Sequence, residues 1–299
     1  MKNLGRVLVA LALMAPPALA QEMPADYKAV LQTLGRQGDF KDGVLKVNVP
    51  RSDLKVSVAG VATPTPFGFG GWVAFTHGDQ QMDVVMGDLV LTEDEVSPVM
   101  SALLDSGIEV TALHNHFFWE APRMFYMHVH AHGKAADVAT KLKPALALIG
   151  RSTPSSAAGG SGSPIEGKLD TAILAKTIGH AGEQNGAVYK ITVGRSDLNV
   201  REMGAAINAR MGLNTWAAFY GSDADAVVAG DVAMLESEVQ PVLQALRSNG
   251  LDVVAIHHHM IGSQPIVIFL HYWGRGPAAK LAAGVKATID QTGPRQSSR

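Results

Sequence analysis

Nine of the eleven histidines stand in two blocks, His114, His116, His128, His130 and His132, then His257, His258, His259 and His271. Neutral imidazole binds zinc, copper, nickel and iron. An H-x-H step with a third His across a hairpin can bring three nitrogens to one apex, the platform on which catalytic zinc keeps a fourth position for water. Side chains alternate along a strand, so His114 and His116 share a face, which the spacing assigns to Ile108, Val110 and Ala112, toward the core. A hairpin centred near Ala121 sets His128 opposite His114 on that face, and His257, His259 and His271 repeat the arrangement. The expectation is one three-His site per block, kept neutral by apolar walls that disfavour the charged form. A one-residue slip in register would turn His128 to the other face. The competing expectation is a set of ordinary core imidazoles hydrogen-bonded to backbone.

Nitrogen donors without thiolate suit zinc first and copper second, because the chain has no cysteine. Met82, Met86, Met100, Met124 and Met127 would favour copper(I) as ligands, but methionine is more often a core filler. The blocks differ in detail: Asn115 stands where the second has His258, Glu120 where it has Ser263, His130 and His132 where it has Trp273 and Arg275. Glu120 makes the first block the better candidate for catalysis, as metal ligand or general base. Its alternative is a solvated loop residue.

The elements that position these residues are written twice. Shifted by 144 and then 143, the chain aligns with itself: Arg51-Ser52-Asp53-Leu54 recurs as Arg195-Ser196-Asp197-Leu198, and Trp72 as Trp216. From Gly87 to Gly133 against Gly230 to Gly276, 17 of 47 positions match, which coincidence does not explain. The division is a first module over 25–150, a Ser/Gly/Pro-rich linker over 151–168, flexible by composition, and a second module over 169–290. In each module Val96, Val99, Met100 and Leu103, or Val239, Val242, Leu243 and Leu246, fall at helical spacing. Ile108-x-Val110-x-Ala112 and Leu251-x-Val253-x-Ala255 alternate as strands that open a hairpin. The fold class is α+β: two tandem copies of a mixed sheet-plus-helix module, mainly antiparallel, related by pseudo-two-fold symmetry.

With 25 Lys plus Arg against 27 Asp plus Glu, nothing draws the chain to nucleic acid or an anionic membrane. Lys2 and Arg6, the apolar run Val7 to Ala15, and Ala18-Leu19-Ala20 read as a signal peptide over 1–20, too short for a stable membrane anchor. A periplasmic or secreted protein follows, with a small-molecule or cell-envelope substrate as its partner.

Other motifs have plain structural readings beside functional ones. Arg51 with Asp53, and Arg195 with Asp197, could clamp a substrate, but such pairs more often fix a turn or link the copies. Asp88 and Asp231 follow a glycine and could bind metal or satisfy backbone amides. Gly68-Phe69-Gly70-Gly71 lacks the context of a nucleotide loop, and Trp72 and Trp216 read as core anchors.

At Arg51-Ser52-Asp53-Leu54, Gly87-Asp88, the Glu-Val-x-Pro-Val helix start, His114-x-His116 and their recurrences, the chain resembles the LppY/LpqO family of exported bacterial proteins. That resemblance implies a duplicated extracytoplasmic module and no assigned reaction. Some of those relatives are lipoproteins, but no cysteine is present here to carry lipid. The expected function is a periplasmic metal-binding protein with a His-x-His plus His site in each repeat, acting as a metal-dependent hydrolase if catalytic. The rival is a non-catalytic glycan- or protein-binding module with structural core histidines.

Overall fold

The structure, a computed structural model, describes residues 21–151 and 160–294. The signal peptide expected over 1–20 lies outside them. The first copy runs α1 (Ala25–Leu34), β1 (Gly38–Lys41), β2 (Val44–Pro50), β3 (Val56–Val58), β4 (Val61–Thr63), β5 (Gly70–His77), β6 (Asp83–Thr92), α2 (Glu93–Asp105), β7 (Glu109–His114), β8 (Glu120–Ala121), β9 (Met124–Gly133), α3 (Ala135–Leu146). The second runs α4 (Thr171–Ile178), β10 (Gly182–Asn185), β11 (Val188–Gly194), β12 (Arg201–Glu202), β13 (Ala205–Ala206), β14 (Asn214–Gly221), β15 (Ala226–Leu235), α5 (Val239–Ser248), β16 (Asp252–His257), β17 (Val267–Gly276), α6 (Ala278–Ile289). Each copy builds a six-stranded antiparallel sheet, ordered β1-β2-β5-β6-β9-β7 and β10-β11-β14-β15-β17-β16. No helix among the described residues is long and apolar enough to cross a membrane.

Period-two alternation gives each sheet two buried faces. One face, with Val47, Phe75, Leu89 and Val129, packs on the copy's own helices through Val30, Leu103 and Leu142. The opposite face meets the other copy. Val56 of β3 with Phe67 and Phe117 of the first copy cover Ala218, Val227 and Trp273 of the second sheet, and Val200, Met211 and Met260 of the second copy cover Ala74, Val84 and Met86 of the first sheet in exchange. The layers run helix, sheet, sheet, helix, and the reciprocal contacts are those of a pseudo-two-fold pair. Gly68 and Gly212 take positive φ values of 141° and 94° in these loops. A Cβ on Gly212 would stand 3.2 Å from the Trp72 ring of the other copy, so close approach explains the glycine.

Arg51 is buried, donating to both oxygens of Glu95, to the Val90 carbonyl and to Asp53. Glu95 also accepts from Thr92 N at the start of α2 and from Gly150 N beyond α3. Arg195, Glu238, Asp197 and Gly293 repeat this knot. The pair therefore ties each copy's own strand and helix ends together and does not link the copies. Composition suggested a flexible linker, yet its described end is held down: Gly160 N donates to Lys55 O, and Ser163 exchanges backbone hydrogen bonds with Gly60 and Ala62 beside β4.

Candidate metal centre

The strand that delivers His114 is not continuous in register. Val110 pairs with Val129, whereas Ala112 pairs with His128, so Thr111 is an extra residue, a β-bulge. The second copy repeats it at Val254, between Val253 opposite Tyr272 and Ala255 opposite His271. One extra residue reverses the alternation. Ile108 and Val110 face the helices, while Ala112 and His114 face the other copy. This corrects the expectation that the imidazoles share the face of Ile108 and Val110.

The hairpin also sits one step from its expected centre. His114 lies opposite Tyr126, and His128 lies opposite Ala112, on the same face but one pair along. His116 stands beyond the end of β7, where its ring stacks on Tyr126 with centroids 3.3 Å apart. His259 stacks on Phe269 in the equivalent place at 3.4 Å.

The consequence is that the two triads are not two separate centres. His114, His116 and His128 meet His257, His259 and His271 in one buried cluster between the sheets. His114 stacks on His257 at 3.6 Å, His116 on His271 at 3.6 Å, and His128 on His259 at 4.0 Å. His114 Nε2 lies 3.2 Å from His271 Nε2. The groups whose ligand atoms all lie within 4.8 Å of one another are His114, His257, His271 and His128, His257, His259. Each draws on both copies, which corrects the one-site-per-repeat grouping.

Protonation favours coordination. Burial, then the neighbouring imidazoles, holds His114, His116, His128, His259 and His271 well below the ordinary imidazole range, and burial pushes His257 down to about 4. His128 Nδ1 lies 3.2 Å from Gly87 O, and His271 Nδ1 3.2 Å from Gly230 O. A neutral ring donating there presents its Nε2 lone pair to the cluster, as metal-ligating histidines do. This explains the recurring Gly-Asp pair. The glycine leaves room for Val129 or Tyr272 on the helix side while its carbonyl receives the imidazole. Its neighbour Asp88 or Asp231 turns toward the other copy.

Asp88 pairs directly with His128 across the strands, and Asp231 with His271. Oδ1 of each is buried without a partner, and Asp231 Oδ2 lies 3.7 Å from His259 Nε2. Burial pushes Asp88 up to about 7, and burial with the Asp88 charge raises Asp231. Glu120 is placed elsewhere. It sits in β8 against β3, buried, with Oε1 turned to Met124 N at 3.4 Å and Arg123 Nε at 3.6 Å. It is neither a solvated loop residue nor a member of the imidazole cluster.

His130 faces outward from the cluster toward Glu109 and, across the copies, Glu202 at 2.9 Å. Burial alone would lower it, but these carboxylates raise it above the usual imidazole range. Lys46 and Lys190 recur at one repeat position inside mainly apolar strands, and that recurrence is their signal in the sequence.

A family described as Domain of Unknown Function (DUF1259), DUF1529, matches residues 28–148 and again 172–291. The chain belongs to this family. Its two matches fall on the two structural copies and place one cluster-forming triad in each. No curated protein matches the chain at a significant level. Among solved structures, a trimeric bacterial microcompartment shell protein, PduB, is similar at 12% identity over 86% of this chain and 92% of that one, with a TM-score of 0.21.

Proposed function

We propose that this DUF1259 protein is an exported metal-binding protein whose single centre is assembled from both repeats, with zinc as first metal and copper as second. The observation that carries the reading is the 3.2 Å separation of His114 Nε2 and His271 Nε2, with His271 Nδ1 against the Gly230 carbonyl. Zinc–nitrogen bonds of about 2.0–2.1 Å in a tetrahedron set neighbouring ligand nitrogens roughly 3.3 Å apart. His257 supplies a third nitrogen to that pair and to the pair His128 and His259, and the buried carboxyls of Asp88 and Asp231 stand beside them. An all-nitrogen set with carboxylates at hand suits zinc better than copper(I).

Binding is favoured over hydrolysis, since Glu120 is held away from the imidazoles and the rings are largely buried. The rival reading, structural imidazoles in a binding module, rests on the close stacking of the rings.

Elemental analysis of purified protein and of His114→Ala and His271→Ala decides between them. A shared centre loses its metal in either variant, although the two residues come from different copies. A wild type that stays metal-free after refolding with excess zinc and copper refutes the proposal.

A further inference from the structure

The two imidazole groups differ in every member but one. His114 and His271 belong to the first, His128 and His259 to the second, and His257 to both. The centroid of the His257 ring lies 3.6 and 4.9 Å from those of His114 and His271, and 5.3 and 5.2 Å from those of His128 and His259. His257 has one nitrogen to give. Its Nδ1 lies 3.2 Å from the His258 carbonyl, and its Nε2 is buried without a partner. A neutral ring that donates at Nδ1 offers a single lone pair at Nε2, so His257 serves one ion at a time.

Both groups are prepared for a cation. His271 and His128 each set Nδ1 3.2 Å from a backbone carbonyl, of Gly230 and of Gly87, which leaves Nε2 of each for metal. In the second group His128 Nε2 is buried and unpartnered, and Asp231 Oδ2 stands 3.7 Å from His259 Nε2. The groups are not equal. His114 and His271 already hold their Nε2 atoms 3.2 Å apart, close to the spacing of tetrahedral ligand nitrogens, roughly 3.3 Å. His128 and His259 stack with ring centroids 4.0 Å apart and must draw their nitrogens together. The first group is therefore the tighter.

We propose that the two groups are two positions for one ion, a tight one at His114, His257 and His271 and a weaker one at His128, His257 and His259. This rests on the metal-binding reading above. The ion passes between the positions by exchanging two ligands while His257 stays bound, so it never sheds all three at once. A structural zinc site is closed around one fixed ligand set. The second position makes this centre one that takes up and releases its metal.

Titration of the chelator-treated full chain with zinc alone, against a competing indicator dye, tests this. The wild type should saturate at one ion per chain. His114→Gln and His271→Gln should lose the ion on desalting, yet each should still bind one in the titration. That binding should be about 10- to 100-fold weaker than in the wild type, the range that lost support of a ligand set costs in metal affinity. His257→Ala, which removes the shared ligand, should bind none. Release of zinc to excess chelator should be several-fold slower from His128→Gln than from the wild type, because the intermediate position is gone. Circular dichroism checks the fold of each variant, and the wild-type stoichiometry needs no variant. Two ions per wild-type chain would overturn the proposal and leave the metal-binding reading in place. So would folded His114→Gln and His271→Gln that bind nothing, folded His257→Ala that binds zinc, or His128→Gln that releases zinc at the wild-type rate. A wild type that binds no zinc removes both.

Discussion

The hydroxyl of Thr111 donates to the carbonyl of His259 at 2.7 Å, joining the bulge of one copy to the histidine loop of the other. The residue that reverses the alternation of β7 is thus also an inter-copy tether. Its equivalent, Val254, has no hydroxyl and packs in the apolar contact between copies. Thr111→Val should destabilise the protein by about 1 kcal/mol, the net worth of one hydrogen bond, and leave metal content unchanged. Urea unfolding with elemental analysis measures both. Loss of metal would mean that this tether also sets the imidazole geometry.

Zinc bound only by the folded protein must stabilise it. At free zinc 100 times its dissociation constant the gain is about 2.7 kcal/mol, and a chelator should reverse it. The midpoint should rise with zinc concentration in the wild type and stay fixed in His257→Ala, since His257 belongs to both ligand groups. A wild-type midpoint indifferent to zinc would leave the imidazoles as structural groups.

The metal-free protein should lose stability steeply as pH falls below about 6.5, the titration point of an unfolded imidazole. Burial and mutual proximity hold five of the cluster imidazoles far below that point, and burial holds His257 to about 4. The unfolded chain then takes up protons that the folded chain refuses. The loss reaches about 1.4 kcal/mol per pH unit for each imidazole. Asp88, raised by burial to about 7, and Asp231, raised in the same direction, act oppositely because the folded state keeps protons that the unfolded state has lost. Two carboxyls offset only part of six imidazoles, so acidification destabilises. Urea titrations between pH 5 and 7.5 should show this slope; a flat profile would contradict it.

Breaking the Arg51 and Glu95 knot leaves a buried charge alone. Glu95→Ala should cost roughly 3–5 kcal/mol and also release Thr92 N and Gly150 N from their acceptor. Thermal melts should show a much larger loss than for Lys28→Ala, whose ion pair with Glu22 is exposed.

Tyr126 stacks on His116 with its buried hydroxyl unpartnered, and Phe269 fills the equivalent place without one. Tyr126→Phe should therefore change stability by less than about 1 kcal/mol, and removing the orphan oxygen can even stabilise. A large loss by urea unfolding would show that the hydroxyl has a partner in solution.

The amino-acid sequence alone determined the duplication, the mainly antiparallel α+β class and which residue types could bind metal, because repeats, alternation and helical spacing are local patterns. His114 and His257 were legible as candidate ligands. Their face was not, because the bulges at Thr111 and Val254 are defined only against β9 and β17, and one added residue reverses a period of two. Glu120 looked like a loop base because its pairing with β3 is non-local. The meeting of His114 with His271, 157 residues apart, was decided by packing one copy's loops on the other's sheet. Side chains that each copy repeats at a fixed shift become neighbours only when a two-fold arrangement brings the two sheets face to face.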